Sequence, residues 1–209
     1  MHEQAFDFEI ACEICEQAHE QALAIGHPYT ESLSLILLGM PRLGLGQREE
    51  AFRRFSEVAA RLDRERSLMD WVLRILLHDG LSRYWLAKGE LAQARREAEA
   101  LRELASQPGE RTYLSLAHRT LAEIAMAARQ WDAAENEVSR ALAAIENAEA
   151  PLAEWRVRAT AARLYEKLGR AAESADHQRR LAETLSRLSG SLSEADGLPR
   201  SLLDNPASQ

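Results

Sequence analysis

Cysteine is nearly missing from this sequence. Cys12 and Cys15 are the only two thiols in 209 residues. Two are too few for a disulfide scaffold, and their scarcity fits a reducing compartment. Aromatic residues make up 6% of the chain, and Val, Ile and Thr are sparse. No stretch alternates apolar and polar residues for long enough to suggest a strand. The longest apolar run, Leu33 to Met40, stops at Pro41-Arg42. It falls far short of the roughly 20 residues that span a bilayer. Met1-His2-Glu3-Gln4 lacks the basic start of a secretory signal. A net charge of -7 and a pI of about 5.5 argue against a protein devoted to phosphate backbones. No Gly-x-x-x-x-Gly-Lys-Ser/Thr loop cradles phosphates. These absences point away from nucleic acid, membrane and nucleotide hydrolysis. A cytoplasmic protein without cofactor or catalytic machinery is expected.

What remains is helix-forming material. The chain is 46% hydrophobic and 28% charged, dominated by Ala, Leu, Arg and Glu. A phrase recurs along it. Leu38-Gly39 precedes Gly46 and Ala51; Leu81-Ser82 precedes Gly89 and Ala94; Leu121-Ala122 precedes Trp131 and Ala134; Ala161-Ala162 precedes Gly169 and Ser174. The closing small residues at 51, 94, 134 and 174 give steps of 43, 40 and 40. A fixed period in this range marks stacked helical hairpins.

Nine helical segments follow. The first runs from Asp7 to Ile25 and stops at Gly26-His27-Pro28. Thr30 is the expected N-cap of the second, which Pro41 should kink or shorten. The third covers Gln47 to Asp63. Ser67 with Asp70 reads as a capping box for the fourth, which ends at Lys88-Gly89. The fifth ends before the turn Gln107-Pro108-Gly109, the sixth reaches Arg129, and the seventh starts near Trp131. Pro151 opens the eighth, and the ninth reaches Leu188. The expected organisation is a helical domain over residues 1–189. It holds a half repeat at 7–25 and repeats at 30–63, 67–106, 110–147 and 151–188. Residues 190–209, broken by Gly190, Gly197, Pro199 and Pro206, are expected to cap it and end in disorder.

In each unit a small residue on the first helix precedes one on the second by twelve positions: Gly39 and Ala51, Ser82 and Ala94, Ala122 and Ala134, Ala162 and Ser174. Small side chains let antiparallel helices approach near the lower end of the usual spacing, about 8 Å. Gly46, Gly89 and Gly169 stand where the chain must reverse at positive φ.

These units resemble tetratricopeptide repeats. The likeness rests on Leu38-Gly39 with Gly46-Gln-Arg-Glu-Glu-Ala51-Phe-Arg-Arg-Phe55, on Leu81-Ser82 with Lys88-Gly89-Glu-Leu-Ala-Gln-Ala94, and on Leu164-Tyr165-Glu-Lys-Leu-Gly169-Arg. The period is longer than that family's usual one. Leu35, His78, His118 and Arg158 stand where its first helix carries an aromatic. Long repeats of this type resemble the C-terminal sensor arm of bacterial signalling ATPases, cyclases and transcription regulators. The resemblance implies an all-α right-handed superhelix with a peptide-binding concave groove, lined by the first helix of each hairpin.

Projecting that groove selects Leu33, Ile36, Met40 and Leu43; Leu76, Asp79, Arg83 and Leu86; Leu116, Arg119, Glu123 and Met126; and Arg156, Ala159, Arg163, Glu166 and Lys167. It grades from apolar to charged along the chain. Its four arginines and one lysine outnumber its three acids. The expected partner is another protein or a peptide, its acidic portion near Arg119, Arg156 and Arg163. The alternative is an effector-sensing arm of a larger signalling ATPase or transcription regulator, which needs a small pocket with convergent polar groups. Ala11 stands forty residues before Ala51, so the first helix reads as the second half of a hairpin. Either the chain is cut from a longer protein, or this uncovered face is expected to be covered by a partner or by a second copy in a homodimer.

Other candidates read as structural. Cys12-Glu-Ile-Cys15 with His19 has metal-pair spacing but no second pair and lies mid-helix, so packing is favoured. His78 and His118, at equivalent positions, are expected near one another in adjacent hairpins as packed side chains rather than as a metal site. His177 and Asp176 point in different directions along one helix, and no catalytic constellation appears.

Overall fold

The computed structural model describes residues 8–64, 69–107 and 109–190. Among them are nine helices and no strand. They are α1 (Phe8–Ile25), α2 (Pro28–Gly44), α3 (Arg48–Arg64), α4 (Asp70–Ala87), α5 (Leu91–Ser106), α6 (Arg111–Ala127), α7 (Trp131–Ala144), α8 (Pro151–Lys167) and α9 (Ala171–Gly190). Each helix packs on the next, and α2, α4, α6 and α8 also pack on one another in series. This is an all-α stack of hairpins.

The twelve-residue pairing holds each hairpin together. Gly39, Ala51, Ser82, Ala94, Ala122, Ala134, Ala162 and Ser174 are all buried. In the last pair the Ser174 hydroxyl donates to the Ala162 carbonyl at 3.0 Å, so serine meets its own polarity inside the contact. Deeper pairs confirm the antiparallel run. Arg158 of α8 meets His177 of α9, and nearer the start of α8 Glu154 meets Arg187.

The same turn reverses the chain inside each of the four hairpins, and Gly109 repeats it between two of them. Gly46, Gly89 and Gly169 have φ of 75°, 78° and 72°, and Arg129 takes the same place with φ 57°. After each, the next amide reaches back five residues: Gln47 to Arg42, Glu90 to Trp85, Gln130 to Ala125 and Arg170 to Tyr165. This is the Schellman closure, which needs a left-handed residue at its first non-helical position. A side chain at Arg129 carries a cost of about 1–2 kcal/mol that glycine avoids. Glycine also loses more freedom on folding. Arg129→Gly is therefore expected to stabilise the chain by about 0.5–1 kcal/mol, read as a rise of about 1–4 °C in melting temperature. A fall would show that the exposed Arg129 side chain makes a stabilising contact.

Several boundaries differ from expectation. His27, not Thr30, holds the N-cap of α2, because Pro28 occupies the first helical position that suits proline. Thr30 lies in the first turn, its hydroxyl 3.2 Å from His27 Nδ1. Pro41 neither ends nor shortens α2, which continues to Gly44. Proline there sits in the last turn, where it removes one backbone bond. Met69 holds the N-cap of α4, with Asp70 as its first residue. Ser67, Pro108, Asp7 and the tail from 191 to 209 lie outside the described residues.

The core runs between the layers. At its N-terminal end Phe55 of α3 is fully buried among Leu35, Ile36, Met40, Leu73 and Leu77. At the other end Trp155 packs on Leu181 and Leu185. No helix among the described residues is long and apolar enough to cross a membrane.

Candidate binding site

The first helices of all four hairpins converge on one cavity of about 350 Å³. From α2 come Ile36, Leu37 and Met40; from α4, Leu76, Asp79 and Arg83; from α6, Thr112, Tyr113 and Leu116; from α8, Leu152 and Arg156. The remaining wall belongs to α1, through Ala11, Ile14, Cys15 and Ala18. None of its lining residues comes from α3, α5, α7 or α9. The groove face expected from the repeat pattern is thus the face that holds the cavity. α1 shares that face with the first helices, although its sequence register suggested a second helix.

The walls are mostly apolar, with polarity gathered in a few places. Asp79 is buried and lies 3.8 Å from Arg83. Arg83 also donates toward the Met40 sulfur at 3.4 Å. The Arg156 guanidinium sits 5.0 Å from the Trp155 ring centroid, a cation–π distance. Among the described lining residues the carboxylates and guanidiniums are one aspartate and two arginines, an excess of one guanidinium. A low-dielectric wall strengthens the field of that charge. The arrangement suits a ligand with an apolar body and one acidic group.

Of the projected groove residues, Ile36, Met40, Leu76, Asp79, Arg83, Leu116 and Arg156 meet at this cavity. Arg119, Glu123 and Arg163 meet elsewhere, at the α6–α8 contact. Arg119 and Arg163 both donate to Glu123 Oε1, at 2.9 and 2.5 Å. The buried Thr160 hydroxyl donates to the same oxygen at 3.2 Å and accepts from Arg119 Nε, also at 3.2 Å. Burial opposes ionisation of Glu123, but the two guanidiniums and these hydrogen bonds outweigh it and hold the carboxyl below the usual glutamate range. Arg119 and Arg163 are therefore neutralised by the chain itself. Of the three arginines expected to meet an acidic segment, Arg156 lines the cavity, together with Arg83, which lies 3.8 Å from Asp79. Lys167 and Glu166 are exposed at the end of α8 and line no wall of the cavity.

The histidines form rungs rather than a pair. His78 Nδ1 lies 2.7 Å from Glu97, and His118 Nδ1 lies 2.6 Å from Glu137, each across its own hairpin. The same nineteen-residue spacing joins Arg158 to His177 at 3.4 Å, with the imidazole now on the second helix. Burial and the neighbouring Arg158 charge push the His177 pKa down. His19 Nδ1 lies 2.9 Å from Ser34 Oγ. Among the described residues no group of three or more His, Cys, Asp or Glu gathers to hold a metal. Burial pushes the Cys12 thiol pKa up, which suits a packed side chain. Cys15 lines the cavity.

Residues missed by the repeat projection are those of α1 together with Leu37, Thr112, Tyr113 and Leu152. Leu37, Ile14 and Leu152 are large apolar side chains left exposed at the cavity. An exposed isoleucine and leucine in otherwise well-patterned helices was the available signal. No protein-family model and no curated protein sequence matches the chain.

Proposed function

We propose that this chain is a binding module that captures a segment of a partner protein in its concave groove. A large apolar side chain enters the cavity, and a neighbouring acid meets Arg83 and Arg156. The observation that carries this reading is the convergence of α1, α2, α4, α6 and α8 on one apolar cavity with an excess of one guanidinium among its described lining residues. Apolar surface supplies affinity and the guanidiniums supply orientation. Tetratricopeptide-like scaffolding of this kind fits a regulatory role in a signalling assembly.

The cavity's size favours one second reading. Small-molecule pockets begin at about 300 Å³, so an effector with an apolar body and a carboxylate would also fit. In that case the chain would be the sensing arm of a larger signalling protein.

Selection of a random peptide library on the immobilised full chain tests the first reading. Enriched peptides are expected to place a large apolar residue beside Asp or Glu. Leu37→Asp and Arg156→Glu are each expected to weaken them by about tenfold or more, with helix content unchanged. Enrichment of peptides indifferent to both substitutions would overturn the groove reading. Failure of any peptide to enrich, with a thermal shift from small apolar carboxylates that Arg156→Glu abolishes, would establish the effector reading instead.

A further inference from the structure

A second surface lies on the outer side of α1. This helix buries only small residues, Ala11, Cys12 and Ala22. Leu23 is 52% exposed on another side of the helix, while three isoleucines are exposed together: Ile10 is 39% exposed, Ile14, which also lines the cavity, 47% and Ile25 72%. At 3.6 residues per turn these three isoleucines fall within an arc of about 60°, beside the buried face. Burying small residues and exposing isoleucines inverts the usual amphipathic order.

Charge on α1 is inverted in the same way. Glu9, Glu13, Glu16 and Glu20 recur at four- and three-residue steps, which stacks them along one ridge flanking the isoleucines. Like charges at these spacings destabilise an isolated helix. Among the described residues, the ion pair found on this ridge joins Glu16 to Arg42. Glu9, Glu13 and Glu20 stand exposed. An apolar stripe beside an acid ladder breaks two local rules at once. Such departures concentrate where a surface serves a partner.

We infer that the outer face of α1 is a docking surface for an amphipathic helix of another protein, whose apolar stripe is flanked by lysines or arginines. Charge complementarity selects this occupant over a second copy of the chain. Two α1 helices packed antiparallel through their isoleucines would set one glutamate ridge against the other, as like flanks meet in antiparallel pairs. A parallel pair would need the flank already buried on α2. The surface borders the cavity at Ile14, whereas Ile10, Ile25 and the glutamate ridge line no wall of it, so changes at those residues separate this reading from the groove reading.

Two synthetic amphipathic helices with the same leucine stripe, one flanked by lysine and one by glutamate, test the inference on the full chain by fluorescence anisotropy. The lysine-flanked peptide is expected to bind at least about tenfold more tightly, and the difference should shrink as salt rises. Combined Glu9→Lys, Glu13→Lys and Glu20→Lys should invert the preference. Ile10→Gln with Ile25→Gln should weaken the lysine-flanked peptide by about tenfold, while the exposed changes Asp132→Lys and Glu183→Lys leave it unchanged. Equal affinity of the two peptides overturns the inference. So does equal loss from the Asp132 and Glu183 reversals, which would show attraction to overall acidity alone. A solution mass of two chains that Ile10→Gln and Ile25→Gln reduce to one would assign the face to self-association instead.

Discussion

Phe55→Ala is expected to destabilise the protein by about 3–5 kcal/mol, the range for removing a fully buried aromatic side chain. Phe55 is 0% exposed. Its ring lies between two glycines on neighbouring first helices. A Cβ added at Gly39 would come within 2.5 Å of the ring, and one added at Gly80 within 2.6 Å. The ring therefore fills space that both helices leave open, and α2, α3 and α4 are joined through it. The reverse changes should also hurt: Gly39→Ala or Gly80→Ala overpacks the same site at about 1–3 kcal/mol. Because a hairpin stack is held by nearest-neighbour contacts, loss should concentrate in the N-terminal hairpins. Urea unfolding followed by circular dichroism, with hydrogen exchange to locate the loss, checks both. A cost below about 1 kcal/mol for Phe55→Ala would mean that the three helices do not depend on the ring.

Glu123→Gln is expected to cost about 2–3 kcal/mol. Removing one partner of a buried ion pair costs about 3–5 kcal/mol, and the figure here is reduced because Arg163 is 57% exposed. Glu123 itself is 15% exposed and receives Arg119, Arg163 and Thr160 on one oxygen. The pH dependence follows from its lowered pKa. Between the folded and unfolded values the unfolded chain binds the extra proton, so stability rises with pH there. The contribution of Glu123 is fully present above the ordinary glutamate pKa, near about 4.3. It is lost as pH falls through the lower folded value. Glu123→Gln should therefore lose stability at neutral pH and show a shallower further loss below about pH 4. Arg119→Met should cost less in the Glu123→Gln background than alone, since the two share one contact. Additive costs would show that the contact is worth nothing.

The recurring small residues carried most of the architecture. Steps of 43, 40 and 40 placed four hairpins, and the twelve-residue pairs are buried as their spacing required. Three of the four reversals were legible because glycine marks them. The fourth was placed by Trp131 at the start of the next helix, but its left-handed residue was not legible, because Arg129 adopts a conformation that its side chain disfavours. The projected face includes seven of the residues that line the cavity, but the pairing of its charges was not legible. Arg119 and Arg163 look like ligand-binding cations until Glu123 and Thr160 are set beside them, and that contact crosses from α6 to α8 at a separation of about forty residues. His78 and His118 likewise find their carboxylates nineteen residues away on the facing helix, not in each other's hairpin. The position of α1 was the least legible. Its buried alanines match the repeat register, yet its neighbouring face lines the cavity. Local periodicity cannot say which surface a terminal helix will cover.

We propose that a partner segment enters the cavity shared by α1 and the first helices. Methyl NMR of the full chain, titrated with a peptide selected on it, addresses this most directly. Shifts and peptide contacts are expected at Ile14, Ile36, Met40, Leu76, Leu116 and Leu152, with Val58 and Val138 unmoved. Perturbation centred on Val58 and Val138, with the cavity methyls unchanged, would contradict it.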